Sequence, residues 1–149
     1  MVLAENTYSD SPVYTLAVAS KLSRIPTHSI RQYIDKGLII PFKTVTNRHL
    51  FSDVDILRLK CIRKYLKDQG LNIAGISALF SIIPCWIIKS CDMEDRIKCD
   101  AYTSIKNPCW KASNKGSLCL TIDCRTCQVY KLPEKYSSPK EFIKELTNS

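Results

Sequence analysis

The chain has 149 residues, 45% of them hydrophobic and 24% charged, a globular balance with length for a compact module of about 70 residues plus a smaller one. Its formal charge of +8 is uneven, because residues 12–83 carry 11 basic against 4 acidic groups. No run approaches the ~18 apolar residues that span a bilayer, and residues 1–6 lack a basic stretch leading into an apolar one, so a cytoplasmic protein without membrane contact is expected. In a reducing compartment, eight cysteines point to metal ligation or redox chemistry rather than to disulfides.

Residues 1–12 are polar and read as a flexible lead. From Thr15, a hydroxyl able to cap free backbone N–H groups, the apolar positions Leu16, Ala17, Ala19 and Leu22 have helical spacing. Pro26 then opens a second helix over residues 27–36, with Ile30, Tyr33 and Ile34 on one side and Gly37 as its C-cap. Residues 38–51 are rich in β-branched and aromatic side chains around a Thr46-Asn47 turn, which predicts a small hairpin, or wing. Ser52-Asp53-Val54-Asp55 matches a capping box. The helix behind it turns Ile56, Leu59, Ile62 and Leu66 inward and Arg58, Lys60, Arg63, Lys64 and Lys67 toward water. Cys61, in that helix, reads as a buried structural thiol.

Asn72 caps an apolar segment over residues 73–83 that Pro84 ends, and the composition changes there. This pattern gives four segments: a lead (1–12), a DNA-binding domain (13–83), a cysteine-rich domain (84–132) and a tail (133–149). The tail carries a short helix capped by Ser138, with Phe142, Ile143 and Leu146 on its apolar side.

Helix, turn, helix, wing and helix, with the positive charge concentrated among them, suit a reader of the major groove. The stretch from Thr27 through Ile30-Arg31-Gln32-Tyr33 to Gly37-Leu38-Ile39-Ile40-Pro41 resembles the MerR family. So do Asn47-Arg48-His49-Leu50-Phe51-Ser52-Asp53, like that family's wing, and Gln69-Gly70-Leu71-Asn72-Ile73, like its second wing. The resemblance implies a winged helix-turn-helix bound to double-stranded DNA. Thr27 and His28 would face base edges; Arg31 and Tyr33 would contact phosphates; Lys43 and Arg48 would approach from the wing. Thr15, at the head of the first helix, joins the candidate DNA-binding set. Tyr33 reads equally as a core aromatic, His28 as a solvent-facing residue, and His49 as a wing surface residue. The family's long dimerisation helix has no counterpart here, because Pro84 and the cysteines come directly after the module. A second copy of the chain is therefore a candidate partner through another surface, and RNA polymerase is a further candidate.

Seven thiols, Cys85, Cys91, Cys99, Cys109, Cys119, Cys124 and Cys127, fall within 43 residues, and Pro-Cys-Trp occurs twice, at Pro84-Cys85-Trp86 and Pro108-Cys109-Trp110. With Cys99-Asp100-Ala101-Tyr102 and the closing Cys124-x-x-Cys127-x-Val129-Tyr130, the segment resembles small prokaryotic two-CW domains. So short a stretch has too little apolar surface for a core of its own, and a thiolate-bound metal or cluster would replace it. All seven are candidate ligands. No histidine lies among them, so ligation is by sulfur; an iron–sulfur cluster is the leading reading, with zinc and reversible thiol chemistry as alternatives. Trp86 and Trp110 read as shields of such a site or as ordinary core anchors.

The expected fold is mainly α with a small β component: a winged helix-turn-helix followed by a small irregular cysteine-rich domain. The expected function is transcription regulation, with the cysteine centre sensing redox state or metal. The alternative is a non-sensing adaptor or recombination accessory protein with a zinc-stapled interaction module. An enzyme is not expected, since no Cys-His pair, carboxylate pair or phosphate-cradling glycine loop is visible.

Overall fold

The computed structural model describes residues 8–135 and 138–148. The chain divides into two compact units, Met1–Gln69 and Gly70–Ser149. Packing therefore divides the chain at Gly70, ahead of Pro84 where the composition changes.

In the first unit, α1 (Leu16–Ser23) starts at Thr15, whose Oγ1 accepts a hydrogen bond from the Val18 amide at 3.3 Å. Arg24 closes it in the left-handed conformation, φ 60°. α2 (Thr27–Asp35) begins directly after Pro26, and Gly37 takes φ 74° beyond its end. The wing is an antiparallel pair, β1 (Phe42–Lys43) and β2 (His49–Leu50), in register Phe42 with Leu50 and Lys43 with His49. Asn47 turns it with φ 67°, as the Thr46-Asn47 signal predicts. Residues 1–7 of the expected flexible lead lie outside the described residues. The segment between Ser9 and Tyr14 is tied to the unit at both ends: Val54 donates its amide to the Ser9 carbonyl, and Tyr14 forms a bridge with Phe51.

α3 (Asp53–Lys67) carries the capping box in full, with Asp55 N donating to Ser52 Oγ at 3.1 Å and Ser52 N donating to Asp55 Oδ2 at 2.8 Å. Arg58 does not face water, contrary to expectation. It lies one helical turn from the buried Asp55 and Ile62, is 0% exposed, and donates Nε to the Leu38 carbonyl at 2.8 Å. That bond ties α3 to the segment leaving α2. Around it Ala19, Ile25, Ile30, Tyr33, Phe51, Leu59 and Ile62 form the core.

The second unit opens with α4 (Ile73–Ser81), capped by Asn72 Oδ1 accepting from the Gly75 amide at 2.7 Å. Ser77 donates its hydroxyl to the Lys106 carbonyl at 2.9 Å, and Phe80 sits 5.8 Å from Trp110, ring centre to ring centre. α4 thus packs into the cysteine-rich region. That region is a string of single helical turns: α5 (Cys85–Ile88), α6 (Met93–Ile97), α7 (Asp100–Thr103), a 3-10 turn (Cys109–Lys111), α8 (Ser117–Leu120) and a second 3-10 turn (Cys124–Thr126). α9 (Gln128–Lys135) and α10 (Pro139–Thr147) complete the unit. Ser138 caps α10 and Phe142 is buried, as expected, but Ile143 is exposed. No helix among the described residues is long and apolar enough to cross a membrane.

Replacing Arg58 with Ala would strand the Leu38 carbonyl and leave a void, two effects that together cost about 3 kcal/mol or more. Urea denaturation monitored by circular dichroism should show that loss, against about 1 kcal/mol for Ser52→Ala at the helix cap.

Candidate functional site

The surface of the first unit is set by its core. Burial of Ile30 and Tyr33 turns the opposite side of α2 outward, leaving His28, Arg31 and Gln32 exposed, with Thr27 half-buried at the first turn. Arg31 and His28 share that side at i and i+3 spacing. Tyr33 is 6% exposed, and burial pushes its phenol above the usual tyrosine range. Of its two readings, the structure places its ring in the core. Thr15 spends its hydroxyl on the α1 cap.

In the wing, Thr44 accepts from the Arg48 amide at 3.0 Å through Oγ1, and its own amide donates to the Arg48 carbonyl at 2.9 Å. These bonds close the hairpin while Lys43 and Arg48 stay exposed and His49 is half-buried. Elsewhere on the unit, Arg24, Lys60, Arg63, Lys64 and Lys67 line an open cleft of about 540 Å³ with Asp68 as the one acid. The helical spacing of the α3 cations is legible in the sequence; Arg24 joins them only through the fold. Cys61 is half-buried and interacts with Tyr65, whose phenol is raised chiefly by burial.

The second unit brings all seven C-terminal thiols to the wall of one cavity of about 40 Å³. Trp86, Tyr102, Trp110 and Tyr130 share that wall, and the lining is almost wholly apolar and sulfur surface. Such a cavity suits water poorly, since a buried water needs several polar partners. The Cys109 thiol is hydrogen-bonded to Cys85, an interaction that raises the proton affinity of Cys109 and lowers that of Cys85. Cys124 and Cys127 act on Cys109 electrostatically, and Cys85, Cys127 and Cys99 act on Cys119, whose pKa is raised first by burial. Lys115 donates Nζ to Cys124 Sγ at 3.2 Å. Arg96 donates Nη2 to the Trp86 carbonyl at 3.2 Å and favours the Cys85 thiolate. Lys89, Arg96 and Lys115 on the wall were not among the residues singled out from sequence; scattered cations carry no spacing signal.

Among the described residues, no three His, Cys, Asp or Glu side chains are gathered closely enough to hold a single ion. The thiols ring a cavity instead. A zinc ion would need four of them drawn in to about 2.3 Å from one point. A cluster would bring its own iron and sulfide between the thiolates, and sulfur ligands without histidine are the donor set such a centre uses.

Comparison with known proteins places the first of these two features. Residues 14–81 match the family of the MerR HTH family regulatory protein. They are a MerR-family helix-turn-helix domain. A Streptomyces coelicolor protein described as heat shock protein HspR is 34% identical over 73 residues, covering 49% of this chain and 48% of its own. The HTH-type transcriptional regulator GlnR of Bacillus anthracis is 38% identical over 66 residues, 44% of this chain and 50% of its own, and GlnR of Bacillus cereus matches to the same extent. The chain spans about half the length of the curated relatives it matches. The MerR-family region reaches Ser81 and so includes α4, which packs in the second unit.

Arg31→Ala should weaken binding to duplex DNA and reduce the slope of log K against log salt by about 1, as loss of one phosphate contact requires. Fluorescence anisotropy at several salt concentrations measures both. An unchanged slope would show that Arg31 does not touch the backbone.

Proposed function

We propose that the chain is a DNA-binding transcription regulator whose thiol-rich unit holds an iron–sulfur centre and reports redox state or metal supply to the MerR-family domain. The observation that carries this reading is the convergence of seven thiols on one apolar cavity, in a chain whose other half is a helix-turn-helix domain. α2 enters the major groove with Thr27 and His28 toward base edges, while Arg31, Lys43 and Arg48 engage phosphates. The cationic cleft beside α3 adds to the field that draws DNA in.

The cavity residues fit the centre chemically. Thiolates ligate iron, while Lys89, Arg96 and Lys115 offset their negative charge and the aromatic wall keeps water from the metal. Such a centre would supply a reversible electron or a ligand that oxidants remove. For a signal to result, one state of the centre must favour one conformation of the DNA-binding domain energetically. RNA polymerase is the proposed downstream partner. A second copy of the chain would pair through surfaces other than a long helix, since no helix after α4 among the described residues exceeds nine residues.

Anaerobically purified protein should absorb in the visible, contain iron and acid-labile sulfide, and change its DNA affinity about fivefold or more on oxidation, the lower range of allosteric coupling. Colourless, zinc-loaded protein with an affinity indifferent to oxidants would instead establish a metal-stapled adaptor.

A further inference from the structure

The wing carries an apolar side chain that folding does not explain. Val45 is 107% exposed, the most exposed of the large hydrophobic side chains among the described residues. Single apolar side chains on a surface are ordinary, but this one stands at the tip of a hairpin that holds it out. The Asn47 amide donates to the Thr44 carbonyl at 2.9 Å and closes a four-residue turn with Val45 as its second residue. Below the turn the Arg48 amide donates to Thr44 Oγ1 at 3.0 Å, and the hydroxyls of Thr44 and Thr46 lie 3.1 Å apart. These bonds fix the tip and leave the Val45 side chain out. A β-branched residue gains nothing in a turn, where Asn, Asp, Gly and Pro are the residues that backbone geometry favours.

The charge around the tip says what it faces. Between Asp35 and Asp53 the chain has no acidic residue, while Lys36, Lys43 and Arg48 are all exposed. Lys43 ends β1 and Arg48 directly precedes β2, so one cation stands on each side of the turn. An apolar point between two cations matches a surface with anionic rims and an apolar interior. The minor groove of duplex DNA is such a surface, edged by phosphates and walled by sugar C–H groups. At about 6 Å across, it is too narrow for a two-stranded ribbon, whose backbones already stand ~4.8 Å apart without their side chains. A single isopropyl group fits.

We propose that Val45 enters the minor groove of duplex DNA while Lys43 and Arg48 hold the phosphates on its two sides, so that the wing adds an apolar contact to the polar ones of α2. The inference rests on the reading of the first unit as a DNA-binding domain with α2 in the major groove. A·T pairs favour the contact, because the guanine amino group projects into the minor groove and occupies its floor. A·T runs also narrow that groove and deepen its negative potential, which suits the flanking cations. The wing thereby distinguishes base composition without a hydrogen bond to any base.

The test uses the full chain and a duplex that it selects from random sequence, with affinity followed by fluorescence anisotropy at several salt concentrations. Val45→Thr keeps the shape and branching but exchanges a methyl group for a hydroxyl. It should weaken binding about fourfold, the worth of one methyl group taken out of water, and leave the slope of log K against log salt unchanged. Lys43→Ala should instead reduce that slope by about 1. Val45→Ile should bind at least as tightly as the unsubstituted chain, and both Val45 variants should keep its unfolding midpoint, since the side chain is wholly exposed. Replacing guanine with inosine in the duplex removes the minor-groove amino group and leaves the major-groove edge intact, so it should widen the gap between the unsubstituted chain and Val45→Thr. Equal affinity of those two proteins overturns the proposal, as does a gap that inosine leaves unchanged. Should the unsubstituted chain select no duplex at all, the DNA-binding reading itself fails and the wing contact with it.

Discussion

The second unit depends on two edge-on ring contacts, Trp86 with Tyr102 and Trp110 with Tyr130. Each of these tryptophans lies in a helical turn of only a few residues, too short to persist in isolation. The turns are held by what they touch. Trp86 and Trp110 anchor against Tyr102 and Tyr130, each tyrosine standing in or beside another short helix of the unit. A unit with so few fully buried aliphatic side chains draws much of its order from these four aromatic rings.

The first unit is organised on a different principle. Its stability comes from an apolar core closed by a buried guanidinium, with Arg58 satisfying the carbonyl of Leu38 as the chain leaves α2. A buried charge is costly unless bonded, so the arrangement is demanding as well as stabilising. It holds α3 to the segment between α2 and the wing, which sets where Arg31, Lys43 and Arg48 stand. Rigid placement of these exposed cations on buried supports is what a protein needs to grip a phosphate backbone in one register.

α4 belongs to both descriptions. By sequence it is the end of the MerR-family region, and by packing it belongs with the thiol-rich unit through Phe80 against Trp110 and Ser77 to the Lys106 carbonyl. Trp110 comes directly after Cys109 and itself lines the cavity, so α4 is one ring contact from the cavity wall. A composition change marks where residue usage alters, not where contacts divide, which is why Pro84 and Gly70 give different boundaries.

The helices of the first unit, the wing turn at Asn47, the capping box and the caps at Thr15, Asn72 and Ser138 were legible in the sequence, because each rests on local backbone chemistry. So was the repeat of Pro-Cys-Trp, and with it the expectation of a thiol-rich site. The inward turn of Arg58 was not, since helical spacing fixes which face a residue occupies but not whether a neighbouring carbonyl awaits it. Nor was the core placement of Tyr33, for which the sequence supported two readings. Sequence alone determined the MerR-like module, the positive charge upon it and the presence of seven clustered thiols. Only the tertiary structure decided that those thiols ring one cavity, that Trp86 and Trp110 each meet a tyrosine edge-on at its wall, and that α4 packs with them. These depend on contacts between residues far apart in the chain, which no local pattern encodes.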